Sequence, residues 1–237
     1  MAPTKARILD SAERLFAEKG YAPTSLREVI SDAAVNLAAV HYHFHSKEAL
    51  LEAVVERRCI GLNRDRLEML ARFEREADGR PVELEQIFEA FLVPAFRMAY
   101  ENREGGAQFA RLMGRLYAEG DLLPRIVKNN FGPVLETFAA ALKRALPGVA
   151  EEDLLWRMHF AIGAVAHTLR GGWQLEHLPG GPIASVDWQV TLRRLIDFLT
   201  AGFRAPVIAG PRSTALQAET THTPTEGSWA SERSHAR

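Results

Sequence analysis

The sequence predicts an all-α protein in which a small three-helix head is joined by a long helix to a larger helical body. Three observations predict it. Apolar residues recur at spacings of three and four, from Ile8 to Phe203. No segment alternates with period two between turn signals, so strands are not expected. Capping residues and Gly/Pro signals divide the beginning of the chain into short helical lengths and the remainder into long ones.

The first helix carries Ile8, Leu9, Ala12, Leu15 and Phe16 on one face and closes at Lys19-Gly20, glycine supplying a left-handed stop. Ser25 and Glu28 form an S-x-x-E capping box ahead of a second helix whose buried face is Leu26, Val29, Ile30 and Ala33. Asn36 caps a third helix over 37–44, with Leu37, Val40 and Phe44 expected to point inward. Ser46 caps a fourth, whose stripe begins Leu50, Leu51, Val54 and whose charged stretch from Glu56 to Glu76 makes it long. Further helices are expected near 83–102, 106–119, 122–146, 151–177 and 186–203, with Pro94, Gly132 and Pro133 kinking or breaking two of them. From Ala205 the periodicity is lost among Ser, Thr, Pro and Gly, as in a disordered tail. The expected division is 1–50 head, 51–204 body and 205–237 tail.

Composition bounds the function. At 237 residues with 47% hydrophobic and 25% charged residues, the chain can bury one or two cores. No apolar run approaches the ~20 residues that span a bilayer, and MAPTKARILDSAERLF lacks the apolar core of a signal peptide. A cytoplasmic protein with no membrane partner is expected, in agreement with a single cysteine, Cys59. The net charge of −1 and the six Lys/Arg against five Asp/Glu in residues 1–47 advertise nothing to nucleic acid, so a DNA-binding reading rests on geometry. There is no paired Glu-x-x-His, no G-x-S-x-G and no phosphate-cradling glycine loop, so neither an enzyme nor a cofactor is expected. His41-x-His43-x-His45 does not suggest a metal, because helical residues two apart point in different directions.

Three short helices with a tight connection before the third make a helix-turn-helix head, the third sized for a DNA major groove. Its expected outward face is Asn36, Ala38, Ala39, His41, Tyr42 and His43. The two alanines allow close approach and contact with thymine methyls, and the rings reach bases or phosphates. The stretch ARILDSAERLFAEKGYAPTSLREVISDAAVNLAAVHYHFHSKEALLEAV resembles the N-terminal domain of TetR-family regulators throughout. It keeps that pattern at Leu15-Phe16, Gly20-Tyr21, Thr24-Ser25, Arg27, Val35, Tyr42, His43-Phe44 and Ser46-Lys47-Glu48. It departs from it at Ala34, where glycine is usual and a φ costing about 1 kcal/mol must be tolerated, and at His41, so the operator sequence does not carry over.

The resemblance implies that Thr24, Ser25 and Arg27 anchor one phosphate strand, Lys47 and the amides after Ser46 another, with Tyr42 and His43 on the backbone. Asn36, Ala38, Ala39 and His41 would lie nearest the bases. The alternative for Thr24, Ser25 and Ser46 is helix capping alone. It also implies a double-stranded DNA operator, a homodimer and a small-molecule effector. NLAAVHYHFHSKEALL, FARLMGRLYAE and DLLWRMHFAIGAVAHTLRG resemble a narrower group that includes repressors responding to long-chain fatty acids or their thioesters.

For the effector, the aromatics and methionines of the body offer an apolar lining: Phe88, Phe91, Phe109, Met113, Tyr117, Phe138 and Phe160. His159 and His167 could orient a polar ligand head or sit at a subunit interface. The family's pairing of its last two long helices would place Gly163, Ala164, Ala166, Trp173, Leu192, Leu195, Ile196, Leu199 and Phe203 in the dimer. Two rival classes remain open: a helical-bundle enzyme, and an interaction module that does not bind DNA.

Overall fold

The computed structural model describes residues 3–101, 105–119, 123–169 and 187–206, without the side chains of 117–119 and 123; all its regular structure is α-helix. α1 (Thr4–Lys19) buries the expected stripe and ends at Gly20. There φ is +97°, the N–H donates to the Phe16 carbonyl, and the chain leaves extended rather than curling in the left-handed helical conformation. α2 (Leu26–Asp32) starts on the complete Ser25–Glu28 capping box, α3 (Leu37–Phe44) on Asn36, and α4 (Lys47–Ala77) on Ser46. Each cap oxygen accepts an N–H that the first helical turn leaves without a partner. Ala34, in the turn before α3, has φ +49° as its place in the motif requires. Arg7 of α1 donates to the carbonyls of Ala33 and Ala34, tying that turn to α1.

The body comprises α5 (Leu84–Tyr100), α6 (Gly106–Glu119), α7 (Leu123–Ala145), α8 (Glu151–Leu169) and α9 (Trp188–Arg204). Of the expected kinks or breaks at Pro94 and at Gly132-Pro133, no break occurs: both prolines sit inside uninterrupted helices. A proline removes one helical hydrogen bond, and α5 offsets that by burying nine side chains, Pro94 among them. Gly106 opens α6 hard against α5, where a Cβ would lie 1.6 Å from the Met98 carbonyl oxygen, so no other residue fits without moving a helix. The last part of the 151–177 helix and residues 207–237 of the expected tail lie outside the described residues.

Two apolar clusters organise the chain up to Ala205. The first joins the head (Ile8, Phe16, Val29, Val40, Phe44, Leu50) to Val54, Val55 and Cys59 of α4, Phe109, Leu112 and Leu116 of α6, and Ile126 of α7. The head therefore shares its core with α6, which packs along α1. The second cluster holds the far part of α4 with α5, α7, α8 and α9, and Phe131 touches both. No described helix is long and apolar enough to cross a membrane.

Candidate nucleic-acid interface and ligand cavity

α3 packs inward through Val40 and Phe44, 2% and 3% exposed, and leaves Asn36, Ala38, His41 and Tyr42 in the open. Asn36 accepts the Ala39 N–H at 2.8 Å, which fixes the first turn. Two expectations change here. Leu37 is 54% exposed: it lies on the same helical face as Val40 and Phe44 but is the first residue of α3, at the end of that face. Ala39 is half-buried against the head core, so Ala38 and not Ala39 is the small residue on the open face. His43 is half-buried, its ring between Tyr42 (centroids 5.1 Å apart) and Phe44 (5.9 Å).

Beside α3 lie the start of α2 and the start of α4. Thr24 does not offer its hydroxyl to a phosphate as expected: it is 1% exposed and its hydroxyl donates to the Gly20 carbonyl at 2.7 Å, locking the loop after α1. Ser25 is exposed and occupied in the capping box, its N–H donating to Glu28 at 2.7 Å. The Lys19 ammonium, 2.7 Å from Glu28, and the Ser25 donors hold that carboxyl down at about 2. Arg27 is exposed and makes no hydrogen bond or ion pair among the described residues. The Lys47 Nζ donates to the Ala22 carbonyl at 3.1 Å and lies 4.3 Å from the Tyr21 ring centroid. Tyr21 in turn donates to Glu48 at 3.0 Å, and burial, then Glu48, pushes its phenol up to about 12. Lys47 thus sits at the amide end of α4, braced against the loop before α2.

The acids of the head are held internally. Glu13, 2% exposed, takes Arg57 at 2.5 Å and Arg58 at 2.9 Å; Asp10 takes Arg57 at 2.7 Å; Asp32 takes Arg14. The Ser11 hydroxyl and then Arg14 hold Asp32 below the usual carboxylate range. The near-zero charge balance of residues 1–47 therefore conceals an asymmetry: Asp10, Glu13, Glu18, Glu28 and Asp32 are each ion-paired, whereas Arg27 is not.

In the body an apolar cavity of about 120 Å³ lies at the seam of the two clusters, walled by α4 (Leu62, Arg66), α5 (Phe91, Met98), α6 (Phe109, Met113), α7 (Phe131, Leu135) and α8 (Ile162, Val165). A smaller lobe of about 50 Å³ shares Phe91, Leu135, Ile162 and Val165 and extends to Phe88 and Phe138. Five of the expected lining residues, Phe88, Phe91, Phe109, Met113 and Phe138, are thus brought together. The Tyr117 side chain lies outside the described ones.

His159, Phe160 and His167 are not on either wall. All three are exposed: Phe160 and His167 lie on the arc of α8 opposite Ile162 and Val165, and His159, a turn before Ile162, clusters with Trp156 and Phe160. The expected dimer residues change as well. Leu192, Leu195, Ile196, Leu199 and Phe203 are buried within the second cluster, and Trp173 lies outside the described residues. Apolar area instead stands open at Leu155, Trp156, Phe160, Val190 and Phe198, between 43% and 68% exposed. Arg66, a buried cation on the cavity wall, was not anticipated, although it interrupts an apolar stripe of α4 in the sequence. Cys59 is buried and its thiol is pushed up to about 12 by desolvation, so it stays protonated and inert.

A helix-turn-helix head on a helical body is the architecture of a DNA-binding transcriptional regulator. Residues 8–54 match the family described as "Bacterial regulatory proteins, tetR family", and residues 89–202 match "Tetracyclin repressor-like, C-terminal domain". The chain belongs to the TetR family. It is 32% identical over 77 residues to the HTH-type transcriptional regulator UidR of Escherichia coli (strain K12), a match covering 32% of this chain and 36% of that protein. The fold is shared with FadR from Bacillus subtilis in complex with stearoyl-CoA (TM-score 0.60, 14% identity, 83% of this chain and 98% of that one). It is shared also with the fatty acid degradation regulator FadR from Bacillus halodurans (TM-score 0.59, 14% identity, 87% and 99%).

Proposed function

We propose that the protein is a homodimeric transcriptional repressor, not an enzyme, that is released from its DNA operator by a hydrophobic small molecule of the fatty acid or acyl thioester class. The observation that carries the DNA reading is the open face of α3: Ala38, His41 and Tyr42 point away from a core that Val40 and Phe44 anchor. In this reading Asn36, Ala38 and His41 face base edges, and Tyr42, His43, Ser25, Arg27 and Lys47 meet phosphates with the amides of α2 and α4. Residues 1–50 read DNA and residues 51–204 sense and dimerise; such a protein works in the cytoplasm, without a membrane partner or a cofactor.

Two α3 helices must reach successive major grooves about 34–36 Å apart, which calls for a two-fold pair. The open apolar face of α8 and α9 (Trp156, Phe160, Phe198) is where that pair would close. The effector enters the seam cavity and acts by population shift, so it must bind the operator-incompetent arrangement better than the competent one. Two routes lead from the cavity to the head: α4 itself, which supplies Leu62 and Arg66, and α6, which shares the head core and whose Arg115 donates to the Glu18 carbonyl at the end of α1.

The test begins with selection from a random duplex library to find the operator, followed by mobility shifts with fatty acids and acyl thioesters. Enrichment of an inverted repeat, and its release by one of these ligands, is expected. A chain that selects no sequence sinks the DNA reading, and a complex untouched by both ligand classes sinks the effector class.

A further inference from the structure

Among the described wall residues of the larger cavity, Arg66 alone carries a charge. It is 4% exposed, in an apolar stripe of α4 that runs Cys59, Leu62, Arg66, Leu70, Phe73. Its guanidinium carbon lies 3.9 Å from the Phe91 ring centroid and 5.9 Å from that of Phe131, both wall residues. Nε donates to the Phe91 carbonyl at 2.8 Å, and Nη1 lies 3.4 Å from Asn63 Oδ1. Asn63 is held in turn by donating to the Asn130 carbonyl at 2.7 Å. Contacts from α4, α5 and α7 thus fix the planar fork at the edge of an apolar space.

We propose that the cavity is selective for a free apolar monocarboxylic acid, its carboxylate against Arg66 and its chain running past Phe91 into the smaller lobe between Leu135, Ile162 and Val165. A guanidinium presents donors in a rigid fork that matches a carboxylate, and charge-assisted pairs of this kind are about twice as strong as neutral ones. A thioester or ester carbonyl is neutral and offers a single acceptor oxygen to that fork. The smaller lobe has no charged wall residue among those described, so it suits the chain and not the head. Because Arg66 belongs to the helix that joins head and body, the anion would bias α4 directly. This inference rests on the reading of the cavity as the effector site.

The experiment measures binding of laurate, methyl laurate and a lauroyl thioester to the purified full chain by calorimetry, with longer homologues in parallel. The acid is expected to bind roughly tenfold or more tightly than the ester and the thioester. Arg66→Met should erase that preference, so that acid and ester bind alike, and Arg66→Lys should keep only part of it. Equal affinity for acid and ester in the wild type, a thioester that binds best, or a preference that survives Arg66→Met would overturn the proposal while leaving a hydrophobic effector standing. No binding of any of the three would overturn both readings. The wild-type comparison decides the matter even if Arg66→Met does not fold.

Discussion

The head and the body satisfy the same helical requirements by different means. The starts of α2, α3 and α4 each carry a side-chain cap, and the turn before α3 is braced by Arg7. α1 has no side-chain cap; in the body α5 starts at Glu83 without one, and α9 starts on Asp187, whose carboxylate accepts the Gln189 N–H. α2 and α3 are only seven and eight residues long, too short to hold a helix unaided, so capping and docking on one small core sustain them. α4 and α7, at 31 and 23 residues, draw their order from long apolar stripes. The head is therefore packed to the point where Ile8, Ala12, Phe16 and Val29 are wholly enclosed, while the body leaves space between its helices. A reading module needs one rigid surface. A sensing module needs room that a ligand can fill.

The sharpest way to break this contrast is to open the same hole in both parts. Phe16→Ala should lower the free energy of unfolding by about 3–5 kcal/mol, read by denaturant titration. Phe91→Ala, beside space that already exists, should cost less and should mainly alter ligand binding. Equal losses would mean the body is packed as tightly as the head. Next in size, Ala38→Asp should weaken operator binding roughly tenfold to a hundredfold, through repulsion and lost close approach. Its melting curve should stay within about 0.5 kcal/mol of the parent. A variant that melts early instead would place Ala38 in the core.

A gentler probe is Ala34→Gly, which relieves the positive φ but loosens the unfolded chain; a net gain of a few tenths up to about 1 kcal/mol is expected. Loss of stability there would show that the Arg7 brace, not conformational preference, dominates the turn. The smallest effect concerns Glu28, whose carboxyl sits at about 2 against an ordinary 4.5. A lowered value means that the contribution is present above about 4.5 and fades as pH falls toward about 2. The gap in melting temperature between wild type and Glu28→Gln should follow that course, closing at the acid end. A gap unchanged between those limits would remove the Lys19–Glu28–Ser25 linkage from the head.

Legibility follows the same division. The third helix over 37–44, the three caps and the strained Ala34 were all readable, because a cap, a box and a turn are written within four or five neighbouring residues. The burial of Thr24 was not, since a Thr-Ser pair before a helix looks like two phosphate contacts until Gly20 and Leu15 take one hydroxyl inward. His159, Phe160 and His167 showed the periodicity of α8 but not which arc would face the cavity. Leu192, Leu195 and Leu199 read equally well as core or as interface. Arg66 did leave a sign, a cation at a stripe position flanked by Leu62 and Leu70.

Taken alone, the order of amino acids determined that the chain is helical, where the head's helices begin, and which family it joins, because those properties are encoded in short-range spacing and local hydrogen bonding. Tertiary structure decided which of several apolar faces is covered, that α6 shares the head's core, and that a cavity with one cationic corner opens between the two clusters. Burial is set by residues far apart in the chain, and no window of sequence contains both sides of such a contact.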